Sequence, residues 1–223
     1  MQSSLPQTID IDSFKQNLHN SLKKTTYKTI KIPKNTNIYV TGDNSNLVYV
    51  IENGIVKLLV ISPEGKECLL AIYSLGDIFG ELAGERMEIA KTMTNSQLKG
   101  IPIAEFFEHL GKEDLLKGFV KYLALRVAQQ QQVIASLATV DSEKRLGNTL
   151  LQLAENIGKK YSYGTVIELK LSHEELSKMI GATRPRTSMF MHKFRRLGLI
   201  TLTEQHYISI NEQALSDYLT QNP

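Results

Sequence analysis

The sequence predicts an α+β protein with a strand-rich N-terminal half, one long helix, and an α-rich C-terminal unit ending in a winged helix-turn-helix. Three observations carry that prediction. Residues 27–106 break into short runs rich in Val, Ile and Tyr, separated by clusters of turn formers. Residues 112–140 contain no proline and repeat apolar side chains at heptad spacing, interrupted only by Gly118. Residues 172–200 hold two amphipathic helical stretches divided by Gly181, and the second is crowded with cations.

Residues 1–26 read as a polar lead-in and one short helix, with no chemistry assigned. The runs TIKI, NIYV, LVYVI, IVKLLVI, ECLLAIY and QLKGIPI follow, bounded by PKNT, TGDNSN, ENG, SPEGK and SLGD. Short strands at such regular spacing imply a sandwich or barrel. In the long helix, Val120, Val127 and Ile134 fall at heptad position a and Leu123, Gln130 and Leu137 at position d. Branched residues at a with leucine at d favour a parallel two-stranded coiled coil. A helix packed only on its own sheet would need a wider apolar stripe. The stripe therefore reads as a homodimer seam, interrupted by one polar residue, Gln130.

Beyond Asp141, KRLGNTLLQLAENIG reads as a helix, KKYSYG as a loop and VIELKL as a short strand. The next helix, Ser172–Ile180, opens with S-x-x-E (Ser172, Glu175), a capping box that satisfies two unpaired amides. Leu176, Met179 and Ile180 form its inner face, and Gly181 suits a left-handed stop. Thr183 is placed to cap the following helix, 183–197, where Pro185 is tolerated in the first turn because its missing N–H is unpaired there anyway. At 100° per residue, Thr187, Phe190, Phe194 and Leu197 share the buried face; Arg184, Pro185, Ser188, His192 and Arg195 share the outward one. LITLTEQHYISI then reads as a β-hairpin, the wing.

Composition narrows the function. The 223 residues are 42% hydrophobic with 6 prolines, which is globular rather than disordered material. The net charge of +3 says little, but residues 170–200 carry seven Lys or Arg against Glu174 and Glu175. A local basic patch on a near-neutral chain is the footprint of a nucleic-acid face. Cys68 is the only cysteine, which excludes an internal disulfide, a zinc ribbon and a Cys-ligated iron–sulfur cluster and suits a reducing cytoplasm. Its place in a strand pattern suggests a half-buried structural thiol. No apolar run reaches membrane-spanning length, and the N-terminus lacks the features of a signal peptide. No G-x-S-x-G, H-E-x-x-H, Cys/His pairing or phosphate-cradling glycine loop is present, so no enzyme, metal or cofactor is expected. Glu52, Glu64 and Glu67 lie in or beside turns and read as solvated.

Helix, glycine-bearing turn, helix is the unit whose second helix offers its N-terminal side chains to the major groove. The expected DNA contacts are Thr183, Arg184, Pro185, Arg186, Ser188, Met189, His192, Lys193 and Arg196. Arginine can grip guanine O6 and N7 bidentately, which makes Arg184 the base reader. Arg186, Lys193 and Arg196 are assigned to phosphates.

The G-D-x-F-G-E segment (Gly76, Asp77, Phe79, Gly80, Glu81), the long helix and LSHEELSKMIGATRPRTSMFMHKFRRLGLI together resemble the Crp/Fnr family of bacterial transcription regulators over roughly residues 27–215. The resemblance implies a double-stranded β-helix (a cupin-like jelly roll) over 1–111 as a sensory domain, a dimerisation helix over 112–140 and a winged helix-turn-helix over 141–223. It further implies a dimer that reads a near-palindromic operator and contacts RNA polymerase. The family's base-reading positions fall on Arg184, Pro185, Ser188 and Met189. Arg184 keeps the family's arginine, and Ser188 matches the serine of its Fnr-like branch. Pro185 replaces a frequent glutamate and Met189 a frequent arginine, so the family's best-known operator does not carry over.

In cyclic-nucleotide-binding members the corresponding effector residues are Gly80, Glu81 and Arg86, joined from the dimer helix by Gln130 and Gln131. This chain departs from them. Only four residues separate Glu81 from Arg86, Met87 and Glu88 stand where Ser/Thr and Ala are usual, and Glu85 and Glu88 bring carboxylates toward any anion. The pocket is therefore expected to be degenerate. The alternative is a small-molecule-binding module for a cyclic nucleotide or a dicarboxylate, the latter through Arg86 and Lys91. A partner protein or no effector also remains open, and Gln130 can equally serve to fix register. The oxygen-sensing cysteine cluster is absent, and His19 and His109 have no visible companion for haem.

Overall fold

The protein is described by a computed structural model over residues 8–221, apart from 81, 83 and 84. The chain divides into two compact units, Met1–Gly65 with Leu70–Gln131 and Lys66–Leu69 with Gln132–Pro223. Glu81 lies outside the described residues.

In the first unit, α1 (Thr8–Leu22) precedes eight strands: β1 (Thr29–Ile32), β2 (Asn37–Tyr39), β3 (Leu47–Asn53), β4 (Val56–Ile61), β5 (Glu67–Tyr73), β6 (Ile78–Phe79), β7 (Ile89–Thr92) and β8 (Ser96–Pro102). They form two sheets, in the orders β1-β8-β3-β6 and β2-β7-β4-β5. This is the jelly roll that the strand runs and the family resemblance anticipate. Strand alternation sorts the core. Tyr49, Ile51, Phe79 and Leu98 of the first sheet meet Tyr39, Val56, Leu58, Tyr73 and Ala90 of the second. The opposite face of β3, Val48 and Val50, packs on Phe14, Leu18 and Leu22 of α1 and on Phe106 and Phe119. The lead-in helix is thus a 15-residue core element rather than a short appendage.

A buried polar knot fastens these parts. Lys15 pairs with Asp77 at 2.8 Å. The Tyr122 hydroxyl accepts from the Ile78 amide at 3.2 Å and lies 3.3 Å from Asp77 Oδ1. Burial pushes the Tyr122 phenol well up, with the Asp77 carboxylate adding to the shift.

Five features differ from the sequence reading. The run QLKGIPI ends as a strand at Pro102, and Ile103 opens a further helix, α2 (Ile103–Lys112), which buries Phe106 and Leu110. The long helix α3 (Leu116–Thr139) begins only after a break in which Asp114 takes φ 52°. Cys68 is exposed rather than half-buried, because the inward positions of β5 fall to Leu69, Ile72 and Tyr73. Glu52 is not solvated: it accepts a hydrogen bond from Thr29 at 2.7 Å and lies 3.7 Å from the buried Lys99 ammonium. Glu67 is paired as well, with Lys178 at 2.9 Å, both within the unit formed by Lys66–Leu69 and Gln132–Pro223.

Along α3, Phe119 and Tyr122 are buried. Val120, Leu123, Val127, Ile134 and Leu137 are exposed in the single chain, Ile134 at 67%. Gln130 and Gln131 are exposed with them. Leu116, also exposed, extends the 4-3-4-3 spacing by one step toward the N-terminus.

The second unit contains α4 (Ser142–Ile157), β9 (Gly158–Tyr161), β10 (Gly164–Ile167), α5 (His173–Ile180), α6 (Arg184–Arg196), β11 (Ile200–Leu202), β12 (Ile208–Ile210) and α7 (Glu212–Gln221). Asp141 caps α4 by accepting from the Glu143 and Lys144 amides. The segment KKYSYG, expected as a loop, forms most of a hairpin in which β9 pairs antiparallel with β10. Its strand is an edge exposed along nearly its whole length, so it lacks the one-in, one-out alternation that marks a strand in sequence. The helix α7 was also not anticipated. Its Leu219 lies so close to Gly147 that a Cβ on that glycine would come within 2.6 Å. The β11–β12 hairpin joins the same sheet, in the order β11-β12-β10-β9.

Candidate nucleic-acid interface

The outward face of α6 is assembled from three local causes. Ser172 caps α5 and Glu175 returns the bond, completing the capping box. Gly181 then stops α5 with φ 61° and ψ 39°, and the Ala182 amide turns back to the Ser177 carbonyl at 3.1 Å. This left-handed residue costs glycine little and an L side chain about 1–2 kcal/mol. Finally, Thr187, Phe190, Met191 and Phe194 bury one side of α6, with Phe194 edge-on to Tyr218 at 5.8 Å. The buried face thus runs through Met191, and Leu197, expected there, is 48% exposed at the helix C-terminus. On α5, Leu176 and Ile180 are buried, whereas Met179 is only half-buried.

What remains is the outward face. Arg184, Pro185, Arg186, Met189, His192, Arg195 and Arg196 are exposed, and Ser188 is half-buried among them. Thr183 occupies the N-cap position, but its hydroxyl makes no cap bond. Its carbonyl instead accepts from the Thr187 amide and hydroxyl. The amides of the first helical turn are therefore left for an external acceptor, where the helix dipole also favours an anion. Arg186 leans toward the Phe190 ring, 5.8 Å from its centroid.

Two of the expected DNA residues have protein partners that the sequence did not reveal. Lys193 is held by both oxygens of Glu143, at 2.7 and 2.9 Å, and Glu143 also accepts from the Tyr218 hydroxyl. The Glu143 bond is the main reason the Lys193 ammonium is held above its ordinary range. Lys193 thus ties α6 to α4 and α7. Ser188 Oγ lies 2.8 Å from Nδ1 of His173, the first residue of α5. Burial, then the nearby Arg184 and Arg195 cations, holds the His173 imidazole below its usual pKa.

The expected effector residues lie in the first unit. Gly80 takes φ 110°, and a Cβ there would stand 2.9 Å from the Leu47 carbonyl and 3.1 Å from Arg86 Nη1. Arg86 is only 1% exposed. Its Nη2 donates to the Leu47 carbonyl at 2.7 Å and reaches the Ser45 carbonyl at 3.3 Å, and its guanidinium carbon sits 3.9 Å from the Tyr39 ring centroid. Arg86 Nε and Nη1 are buried without a hydrogen-bond partner. Glu88 accepts from the Tyr39 hydroxyl at 2.6 Å. Burial first, then that bond, raises the Tyr39 phenol, against the opposing pull of Arg86. Met87 is 71% exposed and does not cover Arg86. Gln130 and Gln131 project from α3 into solvent in the single chain. His109 is bound to Ser21 at 2.9 Å and stands edge-on to Tyr27. Among the described residues, no helix is long and apolar enough to cross a membrane.

Comparison with known proteins agrees with both units. Residues 29–113 match the family model of the cyclic nucleotide-binding domain, and residues 144–218 that of the Crp-like helix-turn-helix domain. A global nitrogen regulator of Synechococcus elongatus is 30% identical over 187 residues, covering 80% of this chain and 84% of the relative. A CRP-like cAMP-activated global transcriptional regulator of Mycobacterium tuberculosis is 24% identical over 192 residues, covering 84% and 86%. Among solved structures, a CooA mutant from Carboxydothermus hydrogenoformans superposes with a TM-score of 0.74 at 25% identity, over 89% of this chain and 93% of that one. FixK2 from Bradyrhizobium japonicum gives 0.76 at 16% identity over 86% and 97%, a likeness of fold.

Proposed function

The chain belongs to the CRP/FNR family of transcription regulators, and from that membership we propose that it is a homodimer reading a near-palindromic operator with α6. One observation carries the reading: Arg184, Pro185 and Ser188 share an exposed face on a helix whose other side is locked by Thr187, Phe190 and Phe194. Hydration alone would keep arginines outward, but their clustering with Ser188 on one face is the arrangement that meets a polyanion. Arg184 is the base reader, and Arg186, Arg196 and the free amides of the first turn hold phosphates. Pairing two copies along the exposed α3 stripe presents two reading helices to successive major grooves, as a half-site spacing of one helical turn requires.

The division of labour follows: residues 1–111 sense, 112–140 pair the protomers and 141–223 bind DNA. Work on chromosomal DNA places the protein in the cytoplasm, and control of initiation implies contact with RNA polymerase. The test is selection of binding sites from random duplexes, followed by gel retardation. Arg184→Ala collapses the preference for the selected operator over bulk DNA, while Arg196→Ala weakens all sequences alike. An Arg184→Ala chain that keeps its operator preference overturns the reading.

A second reading concerns Arg86. Two guanidinium nitrogens, Nε and Nη1, buried without an acceptor cost about 1–3 kcal/mol each, a cost that an anionic ligand would offset. This supports an effector site for a cyclic nucleotide or a dicarboxylate beside Gly80. Calorimetry with both classes distinguishes them, and no heat from either leaves the protein governed by its abundance.

A further inference from the structure

His173 and Ser188 come from different helices, fifteen residues apart, and meet at 2.8 Å on the face that bears Arg184. We propose that His173 is a specificity-determining residue: it fixes which way the Ser188 hydroxyl points and thereby the kind of base edge Ser188 can read. This deepens the operator reading and rests on it.

A serine hydroxyl alone can donate or accept, so it discriminates weakly between base edges. A histidine partner removes that freedom. A neutral imidazole carries one N–H, and the hydrogen bond made by one ring nitrogen sets the state of the other. His173, partly desolvated by its neighbours yet still open to solvent, stands at the start of α5, the helix that crosses the sugar–phosphate backbone in this docking mode. Phosphate oxygens only accept, so they favour the proton on Nε2 and leave Nδ1 as a lone pair. Ser188 then spends its single proton on Nδ1 and turns only lone pairs toward the groove. In that state it accepts from the exocyclic amino groups of adenine or cytosine. It cannot donate to thymine O4 or to guanine O6. Protonating the ring reverses the bond: Nδ1–H donates to Oγ, and the hydroxyl proton is released to seek an acceptor.

In the DNA-free chain the charged surroundings favour the neutral ring. Arg184 and Arg195 of α6 both bear on it. On its own helix, Glu174 is engaged by Lys178 and Glu175 by the capping box. From α4, Arg145 reaches the far end of α5, at the Ile180 carbonyl.

The experiment is site selection with the full-length chain at about pH 7.5 and pH 5.5, reading base preference position by position. The wild type is expected to favour A or C over T or G at one position in each half-site at the higher pH. The preference should be about 3- to 10-fold, the size of one hydrogen bond, and it should fade toward parity at the lower pH. Ser188→Ala and His173→Phe erase it at both pH values and leave the guanine chosen by Arg184 in place. His173→Asn offers Ser188 a group at the Nδ1 position that does not titrate, so its preference is independent of pH. A His173→Phe chain that keeps a preference lost in Ser188→Ala overturns the inference while the operator reading stands. A wild-type chain that selects no sequence overturns the operator reading and this inference together.

Discussion

Gly181 is the position at which one added methyl group tests the helix-turn-helix geometry. Its φ of 61° lies in the left-handed region, where an L residue with a Cβ pays about 1–2 kcal/mol. Alanine also narrows the unfolded ensemble, which returns roughly 0.4–1 kcal/mol. The new Cβ would lie 3.1 Å from Leu137 Cδ2, the far end of a flexible side chain that can give by a few tenths of an ångström. The net loss for Gly181→Ala is therefore about 1 kcal/mol. At a urea m-value of about 1–3 kcal/mol/M, the midpoint drops by roughly 0.3–1 M with m unchanged. Asparagine tolerates the left-handed region better, so Gly181→Asn falls less. A β-branched residue there is a strong outlier, so Gly181→Val falls most. The assay is urea unfolding followed by far-ultraviolet circular dichroism, with gel retardation on the selected operator. A variant order other than Asn, Ala, Val, or an alanine variant more stable than the parent, would refute the claim that this turn depends on a left-handed residue.

Three further outcomes are expected. Ile134→Glu removes about 1.5–3 kcal/mol of burial from each copy of the seam and shifts sedimentation toward the monomer at low concentration. Gln132→Glu, at the f position on the side of α3 away from the seam, leaves the assembly unchanged. Lys193→Ala leaves the salt slope of operator binding as it was, because its ammonium is already neutralised by Glu143; Arg196→Ala lowers that slope by about one. His19 and His173 both have imidazoles held below the ordinary value of 6.5, chiefly by burial. The unfolded chain then binds their protons more readily, so the stability they confer is present above that value and is lost as pH falls through it. Urea midpoints at about pH 7.5 and 5.5 check the sign.

Much of the fold was legible because its causes are local. The strand runs with their turn clusters, the capping box at Ser172 and the heptad stripe each sit within a few turns of chain, and all appear where the sequence puts them. The elements that were missed lack a local signature. The edge strand β9 shows no alternation, since nearly all its side chains face water. The helix α2 begins directly after Pro102, which ends a strand and occupies a helix N-cap position in one residue. In Ile103–Lys112 the buried pair Phe106 and Leu110 is spaced for a helix, and that spacing was the available clue.

The fate of a cation is less legible than its position, because it depends on partners distant in sequence. Arg184 and Lys193 both belong to the basic stretch of α6, yet Glu143, fifty residues before Lys193, removes the lysine from the free charge of that face. No residue within two turns of Lys193 announces this. Arg86 is the stronger case. In sequence it stands between Glu85 and Met87 in a segment rich in carboxylates, and only the family resemblance marks it as an effector residue. In the fold it is enclosed by the Tyr39 ring and the Leu47 carbonyl, from strands about forty residues earlier, and two of its nitrogens keep no acceptor. A buried cation is tolerated when its hydrogen bonds are complete or when something outside the protein completes them. The aromatic face and the carbonyls satisfy part of the guanidinium, so the unsatisfied remainder is the physical reason to look for a small anion there. The exposed arginines of α6 need no such completion, and for them the polyanion is argued from their arrangement on one face.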